Sequence, residues 1–357
     1  MTHVFVAPHP DDAALSCGGL IASLRELGQS VTILTVYSGG PASSVDFSDY
    51  QREALGFGTK TLWPNSQAFN RSNIAAEYPV TAHAGTGAPW EADPARIVAT
   101  QDRANTQARQ FWQRAAWTRS ANITNDAHEG RPLRDDVPTQ GTLAMYDLDS
   151  ADVATRRKVE DERYAYFVEA AIVDLDLPDA IQRGYESDEA LLGPPFEDDE
   201  PPIDILRREI LRLEPQQVYV PMAVGGHVDH RLCRDASLSL LAEGEGWVMP
   251  SPSLAGGLSF YEDFPYAWWT GLSGPEAMAD QGVELPAGLV MEARYADISD
   301  QLERKLAGLR LYASQVQRLF EDEQGMLDAV TSFGARIADD GRVGNGAAER
   351  YWAVVRS

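Results

Sequence analysis

Two short motifs in this sequence carry side chains of the kind that bind metals and move protons. The motifs His9-Pro10-Asp11-Asp12 and His227-Val228-Asp229-His230 place three of the six histidines of the chain beside aspartates. Two imidazoles and one carboxylate form a typical catalytic zinc site, which leaves a fourth position open for water. The cation lowers the pKa of that water, and a nearby carboxylate that is not a ligand accepts its proton. The motifs therefore indicate metal-assisted hydrolysis.

Each motif has a simpler interpretation when it is taken alone. Asp11 and Asp12 stand before a helical pattern, where aspartates commonly cap free backbone N–H groups. A single histidine after a strand is usually structural. The two motifs are more informative together, because each follows a predicted buried strand and precedes a helix. Since ligands of open parallel sheets bind at the carboxyl ends of the strands, we expect both motifs at the same sheet edge.

The surrounding pattern predicts an α/β fold. Residues 3–8 and 31–37 have the composition of short buried strands, and residues 14–27 between them have helical spacing that ends at Gly28. A strand, a helix and a strand form a βαβ unit with a right-handed crossover, which implies a parallel sheet. The expected architecture is a Rossmann-like, mostly parallel sheet flanked by helices, with a long insertion and an added C-terminal part of strands and helices.

More elements are predicted in the second half of the chain. Helices are expected at residues 154–171, 203–213, 228–243 and, as one long amphipathic helix, from Asp297 to Phe320; strands are expected at residues 171–177 and 217–222, with β-rich runs at 258–264 and 288–295. We expect a single α/β domain over residues 1–357, with residues 41–150 as an insertion or subdomain within it. Residues 184–206 contain many acids and no base, which predicts an exposed acidic loop. This loop is either a solvated linker or a lid.

The composition limits the partners of the chain. Its 54 acidic and 30 basic residues give a formal net charge of −24, which repels nucleic acid and anionic lipid surfaces. No apolar run reaches the roughly 18 residues that predict a membrane span. The first residues have neither the basic region nor the apolar core of a secretory signal, so we expect a cytoplasmic protein. The sequence does not indicate an oligomeric state.

The motifs and the strands before them resemble the PIG-L, or LmbE-like, N-acetylglucosaminyl deacetylase family. Three segments carry the resemblance: residues 8–19 (PHPDDAALSCGG), 31–40 (VTILTVYSGG) and 221–231 (PMAVGGHVDHR). Looser matches lie at residues 157–160, 175–180, 261–267 and 305–315. Many members of the family have Glu where this chain has Ala13, so the chain resembles a divergent branch.

The resemblance implies a metal centre with a separate general base. His9, Asp12 and His230 stand where the family has its zinc ligands, and Fe²⁺ is an alternative to Zn²⁺. Asp11 stands where the family has the general base that acts on the attacking water. The resemblance thus implies that the two adjacent aspartates have different roles.

Three further residues are given roles by the resemblance. His227 would stabilise the tetrahedral oxyanion or donate a proton to the leaving amine. Arg157 and Asp179 are similar in placement to residues that hold sugar hydroxyls in the family. These residues are expected to line the substrate side of the site.

The function implied by the resemblance is the removal of an N-acetyl group from an amino sugar or its conjugate by a zinc-dependent hydrolase. The expected partner is a small-molecule amino sugar or glycoconjugate. One alternative is an amidase of the same metal class that acts on a larger acyl group, or on a thiol-conjugated or antibiotic-like amino sugar. Another alternative is a family member that binds sugars without catalysis.

Overall fold

The computed structural model describes residues 1–39, 153–241, 257–344 and 346–357. The predicted insertion at residues 41–150 lies outside the described residues. In the described ranges, no helix is both long and apolar enough to cross a membrane.

A seven-stranded sheet forms the centre of the described structure. Its strands are β1 (Thr2–Ala7), β2 (Ser30–Thr35), β3 (Ala171–Asp174), β4 (Gln217–Pro221), β5 (Leu258–Tyr261), β6 (Leu289–Asp297) and β7 (Ala348–Arg356). They lie in the order β3-β2-β1-β4-β5-β7-β6. Strands β1 to β5 are parallel, whereas β7 pairs antiparallel with both β5 and β6. The predicted mostly parallel α/β fold is confirmed.

Helices flank this sheet. They are α1 (Asp12–Glu26), α2 (Val153–Phe167), α3 (Asp188–Leu191), α4 (Ile203–Leu213), α5 (Val228–Leu238), α6 (Tyr266–Thr270), α7 (Gly274–Ala279), α8 (Leu302–Leu309), α9 (Ala313–Phe320) and α10 (Glu323–Gly341). Short 3₁₀ turns occur at Ala180–Arg183, Ser239–Leu241 and Ser299–Gln301. Four of the predicted helix starts lie within two residues of the observed ones, at α1, α2, α4 and α5.

Strand β1 is buried on both faces of the sheet. Val4 and Val6 pack into one hydrophobic cluster, whereas Phe5 and Ala7 pack into the other. This division follows from the alternation of side chains along a strand. Its near-continuous apolar sequence is what a central parallel strand covered by helices requires.

The strand order reverses next to β1, and this reversal creates a crevice. The chain passes from β1 to β2 on one side, and β4 later pairs on the other side, so that Phe5 lies between Ile33 and Tyr219. In open parallel sheets, ligands bind outside the carboxyl ends of the strands at such a switch point. The two chemical motifs follow β1 and β4, the two strands that border this crevice.

The predicted long helix from Asp297 to Phe320 is wrong. Asp297 ends β6, and the following residues form a 3₁₀ turn and then two separate helices, α8 and α9. The break occurs where α2 contacts the chain: the Ser314 N–H donates to Glu160 Oε1 at 2.9 Å, and the Tyr312 hydroxyl donates to Asp161 Oδ1 at 2.5 Å. In a continuous helix the Ser314 N–H would instead donate to the backbone carbonyl four residues earlier.

Two other segments differ in detail from the sequence pattern. The strand predicted at residues 171–177 pairs only as far as Asp174, and Asp176 has a positive φ of 56°. Residues 184–206 contain the short helix α3, and Tyr185 and Leu191 are buried there. Together with Leu206, which is also buried, these side chains attach the acidic segment to the core.

A buried ion pair joins the C-terminal part to the first helix. Lys305 Nζ lies 2.7 Å from Glu349 Oε1, and the side chains of both residues are less than 10% exposed. The Glu349 carboxylate also accepts hydrogen bonds from the backbone N–H groups of Gly19 and Leu20 in α1. Glu349 therefore connects β7, α8 and α1.

Replacing Lys305 with Met should destabilise the protein by about 3–5 kcal/mol, because it leaves the Glu349 carboxylate buried without its counter-charge. Urea unfolding followed by circular dichroism measures the change. The double variant with Glu349→Gln should recover part of the loss. A loss below about 1 kcal/mol in the single variant would contradict this account of the ion pair.

Candidate metal centre

The fold brings the three predicted histidines together. His9 follows β1, whereas His227 and His230 lie at the start of α5 after β4. The ring centroid of His9 lies 5.0 Å from that of His227 and 5.3 Å from that of His230, and the latter two are 5.3 Å apart. All three side chains are buried. The expectation that both motifs meet at one sheet edge is therefore confirmed.

Asp11 has an unusual backbone conformation. Its φ of 113° and ψ of −33° lie outside the regions that non-glycine residues ordinarily occupy. Although Asp11 immediately precedes α1, its side chain makes no capping hydrogen bond. The simpler interpretation of this residue as a helix cap therefore fails. Backbone strain of this kind is concentrated at functional sites.

His9, Asp12 and His230 form one candidate set of metal ligands. Each offers a ligand atom, and the three atoms lie within 4.8 Å of one another. Asp12 Oδ2 lies 3.2 Å from His9 Nδ1 and 3.3 Å from His230 Nε2. The His230 Nε2 atom is buried and makes no hydrogen bond in the described residues. A buried nitrogen without a hydrogen-bond partner, aimed at a carboxylate and a second imidazole, fits a divalent cation.

A second geometric set contains His9, His227 and Asp229. The Asp229 carboxylate is fully buried and already contacts Arg183 at 2.6 Å, the Ala180 N–H at 3.0 Å and His9 Nε2 at 2.9 Å. His227 Nδ1 accepts a hydrogen bond from the Asp229 N–H at 3.2 Å. Because these polar atoms are satisfied within the protein, the first set suits a cation better than the second.

Two carboxylates contact the histidines of the first set at the ring nitrogens that do not face Asp12. Asp229 Oδ2 lies 2.9 Å from His9 Nε2, and Asp263 Oδ1 lies 2.6 Å from His230 Nδ1. Asp263 is itself fixed by the Val224 N–H, which donates to Oδ2 at 2.9 Å. Carboxylates that bind the far nitrogen of a metal-ligating imidazole fix its tautomer and orientation. Each ligand histidine thus presents its other nitrogen toward Asp12.

Neither supporting carboxylate was assigned a role from the sequence. Asp229 lies inside the His227–His230 motif, and its position between the two histidines was the available signal. Asp263 lies two residues beyond β5, the next strand along the same sheet edge, and the looser family match at residues 261–267 was the available signal. Arg183, which contacts Asp229, had no sequence signal.

The charges at the ligand set favour a cation. Burial by itself lowers the pKa of His9, but hydrogen bonds to Asp12 and Asp229 outweigh it and raise that pKa to about 9. Burial likewise opposes the charge on His230, yet Asp12 and Asp263 raise its pKa well above the ordinary value. The same carboxylates that attract protons here would attract a divalent cation, which displaces such protons when it binds.

Asp11 has the properties of a proton acceptor near neutral pH. Burial raises its pKa to about 7; the Arg157 charge acts in the opposite direction, and the Asp12 charge adds to the increase. Arg157 Nη2 lies 3.4 Å from Asp11 Oδ1. A general base works best when its pKa is close to the working pH. The two adjacent aspartates therefore differ, since His230 and His9 overcome the effect of burial and hold the pKa of Asp12 well below its usual range.

Arg157 and Asp179 lie at the edge of the same site. Arg157 Nη1 is 3.5 Å from Asp179 Oδ2, and that oxygen lies 3.9 Å from His9 Nε2. The other Asp179 oxygen accepts a hydrogen bond from the Ile181 N–H and caps the 3₁₀ turn. The structure thus brings both predicted substrate-side residues to the candidate metal site and shows that Arg157 also contacts Asp11.

Comparison with known proteins supports the motif interpretation. Residues 4–62 match the PIG-L family model, described as GlcNAc-PI de-N-acetylase. The 2'-N-acetylparomamine deacetylase of Streptomyces fradiae is 34% identical over 167 residues. The resemblance to the PIG-L family is confirmed. The alignment covers 46% of this chain and 54% of that relative, so the chain spans about half the length of the curated relative it matches.

Solved structures with a similar fold cover nearly the whole chain. The zinc-inhibited form of a teicoplanin deacetylase has a TM-score of 0.55 at 18% identity, and the match covers 100% of this chain and 99% of that one. The pseudoaglycone deacetylase of the antimicrobial reagent A40926 has a TM-score of 0.54 at 18% identity, and the match covers 99% of this chain and 97% of that one. At such identities these likenesses concern the fold. The PIG-L match includes the first motif, and the fold brings the second motif beside it.

Proposed function

We propose that this protein is a metal-dependent N-deacetylase that acts on an amino sugar within a larger conjugate. The observation that carries the proposal is the pairing of a cation-binding set, His9, Asp12 and His230, with a buried carboxylate that does not belong to the set. The proposed substrate class is supported by similar proteins that are named as deacetylases of 2'-N-acetylparomamine and of the A40926 pseudoaglycone, and by a deacetylase solved in complex with teicoplanin. Zn²⁺ is the proposed metal, and Fe²⁺ is the alternative.

The cation would supply two kinds of chemistry when bound: it polarises the amide carbonyl and lowers the pKa of the attacking water. Asp11 takes the proton of that water, because its carboxylate is buried beside the ligand set and its pKa is raised to about 7. The same carboxyl group, once protonated, can pass the proton to the leaving amine. Products are acetate and a free amine.

His227 is assigned to oxyanion stabilisation rather than to proton donation. Its Nδ1 accepts from the Asp229 N–H, so the single proton of the neutral ring lies on Nε2. Burial lowers the pKa of His227 well below its ordinary value, and the charge on His9 adds to this effect. A neutral imidazole donates a hydrogen bond from Nε2 to a developing oxyanion without giving up its proton.

The activity is tested by an amine-release screen. Metal-loaded protein is incubated with N-acetylated amino sugars, aminoglycosides and glycopeptide conjugates, and free amine and acetate are measured together. The proposal predicts equal amounts of both products and loss of activity after chelation. Release of longer carboxylic acids in preference to acetate would favour the amidase of larger acyl groups. Metal-loaded protein that binds these sugars and never hydrolyses them would favour the non-catalytic alternative.

Arg157 should control the pH dependence of the reaction. Asp11 acts as a base only when it is ionised, so the rate should rise with pH through the Asp11 pKa. Because the Arg157 charge lowers that pKa, Arg157→Met should move the rising limb of kcat/KM to higher pH, by about 1–3 units. Arg163→Met, on the same helix, is the matched control and should leave the limb in place. A rise in KM with no shift of the limb would instead assign Arg157 to substrate binding alone.

A further inference from the structure

A chain of ionic contacts leads from the acidic segment, residues 184–206, to the metal centre. Arg183, at the end of the 3₁₀ turn, binds two aspartates at once. Its Nη2 lies 2.6 Å from Asp229 Oδ1 and 2.9 Å from Asp199 Oδ2, and its Nε lies 3.0 Å from the same Asp199 oxygen. Asp229 in turn contacts His9 Nε2. Three side-chain contacts therefore join Asp199 to His9, one of the proposed metal ligands.

Arg183 is needed because Asp229 is fully buried. The Asp229 side chain is 0% exposed, and a buried carboxylate without a counter-charge is strongly destabilising. Arg183 neutralises Oδ1, which leaves Oδ2 to accept from Ala180 N–H and from His9. Because the Arg183 guanidinium binds Oδ1, the other Asp229 oxygen, Oδ2, faces the His9 imidazole. With its Nε2 held in this way, His9 presents Nδ1 to Asp12 and to the proposed cation site.

Several contacts hold Arg183 and Asp199 in place. The Tyr37 ring lies 4.7 Å from the guanidinium carbon, and the Pro178 carbonyl accepts from Nη1 at 2.6 Å. On the other side, the Tyr185 hydroxyl donates to Asp199 Oδ2 at 2.9 Å, and the Tyr185 ring stacks on Phe196 with centroids 3.9 Å apart. The acidic segment is therefore packed against the ionic chain at Asp199.

We propose that Arg183 and Asp199 are positioning residues of the metal centre, through which the acidic segment fixes Asp229 and the orientation of His9. This inference rests on the proposed metal site. The acidic segment then acts neither as a lid nor as a solvated linker. It supplies the Asp199 carboxylate, which holds Arg183 against Asp229.

Metal affinity measured without turnover tests the inference. The variants are Arg183→Met and Asp199→Ala, and Asp198→Ala is the matched control because Asp198 is the exposed neighbour with the same charge. The dissociation constant for Zn²⁺ is measured by competition with a chelator, and the visible absorption of the Co²⁺-loaded protein reports the ligand geometry. Thermal unfolding of the metal-free variants records any loss of stability separately.

Outer partners of metal-ligating histidines typically contribute about 10–100-fold in affinity. Arg183→Met should therefore raise the Zn²⁺ Kd by about 10–100-fold and change the Co²⁺ spectrum, and Asp199→Ala should raise the Kd by about 10-fold. Asp198→Ala should match the wild type. If Arg183→Met does not fold, the comparison of Asp199→Ala with Asp198→Ala decides.

Two contrary results have different meanings. Equal Kd values and spectra for Asp199→Ala and Asp198→Ala, with tight binding by the wild type, would overturn the positioning role and leave the proposed function standing. Absence of stoichiometric metal binding by the wild type would overturn the metal centre itself, and with it the proposed function.

Discussion

Replacing Asp11 with Asn is expected to lower turnover by about 10²–10⁴-fold while the metal content stays unchanged. General base catalysis contributes an effect of this size, and an amide cannot take a proton from water. Asp11 is not one of the three proposed ligands, so its charge is not needed to hold the cation. The measurement pairs kcat for amine release with elemental analysis of the same preparation.

The control for this variant concerns backbone strain. Asp176 also has a positive φ, at 56°, and its exposed side chain pairs with Lys158, which belongs to neither candidate ligand set. Asp176→Asn makes the same chemical change at another aspartate with positive φ and should keep full turnover. If Asp11→Asn retained wild-type turnover, the assignment of the general base would be lost; if it lost its metal as well, Asp11 would be a ligand.

Replacing His230 with Ala is expected to abolish stoichiometric metal binding. The His230 Nε2 atom makes no hydrogen bond in the described part of the chain and faces Asp12 at 3.3 Å, so its proposed role is that of a ligand. Loss of one of three protein ligands should weaken binding by more than the roughly 10–100-fold typical of outer partners. Metal content after dialysis, measured by elemental analysis, should fall from about one ion per chain to near zero.

His3→Ala is the control for removing a buried imidazole. His3 lies on β1, stacks with Tyr219 at a centroid distance of 6.1 Å and is not part of either candidate set. This variant should keep its metal. Unchanged metal content in His230→Ala would refute the ligand assignment. In that case the variant should also keep its activity.

The site was predictable from the sequence where local patterns determine it. His9 and His230 each follow a strand whose apolar sequence marks it as buried, and parallel strands present their carboxyl ends at one sheet edge. The proximity of the two motifs follows from this rule alone. The different pKa directions of Asp11 and Asp12 did not follow, because they depend on Arg157 and His230, which come from other elements.

The remaining features depend on tertiary contacts between distant segments. Periodicity predicted one helix from Asp297 to Phe320, and contacts from Glu160 and Asp161 on α2 accompany its division into two. Asp263 lies in a looser family match, but its contact with His230 depends on the pairing of β5 with β4. Arg183 reaches Asp229 across 46 positions of sequence, a contact with no periodic signature.

The central claim is that one divalent cation is held by His9, Asp12 and His230, with Asp11 close by but not bound. Anomalous diffraction at the zinc absorption edge from crystals of the zinc-loaded protein tests it most directly. The account predicts one peak at about 2.0–2.2 Å from a nitrogen of each histidine and an oxygen of Asp12, with Asp11 outside this distance. A peak ligated by His227 and Asp229, or by Asp11, would contradict it.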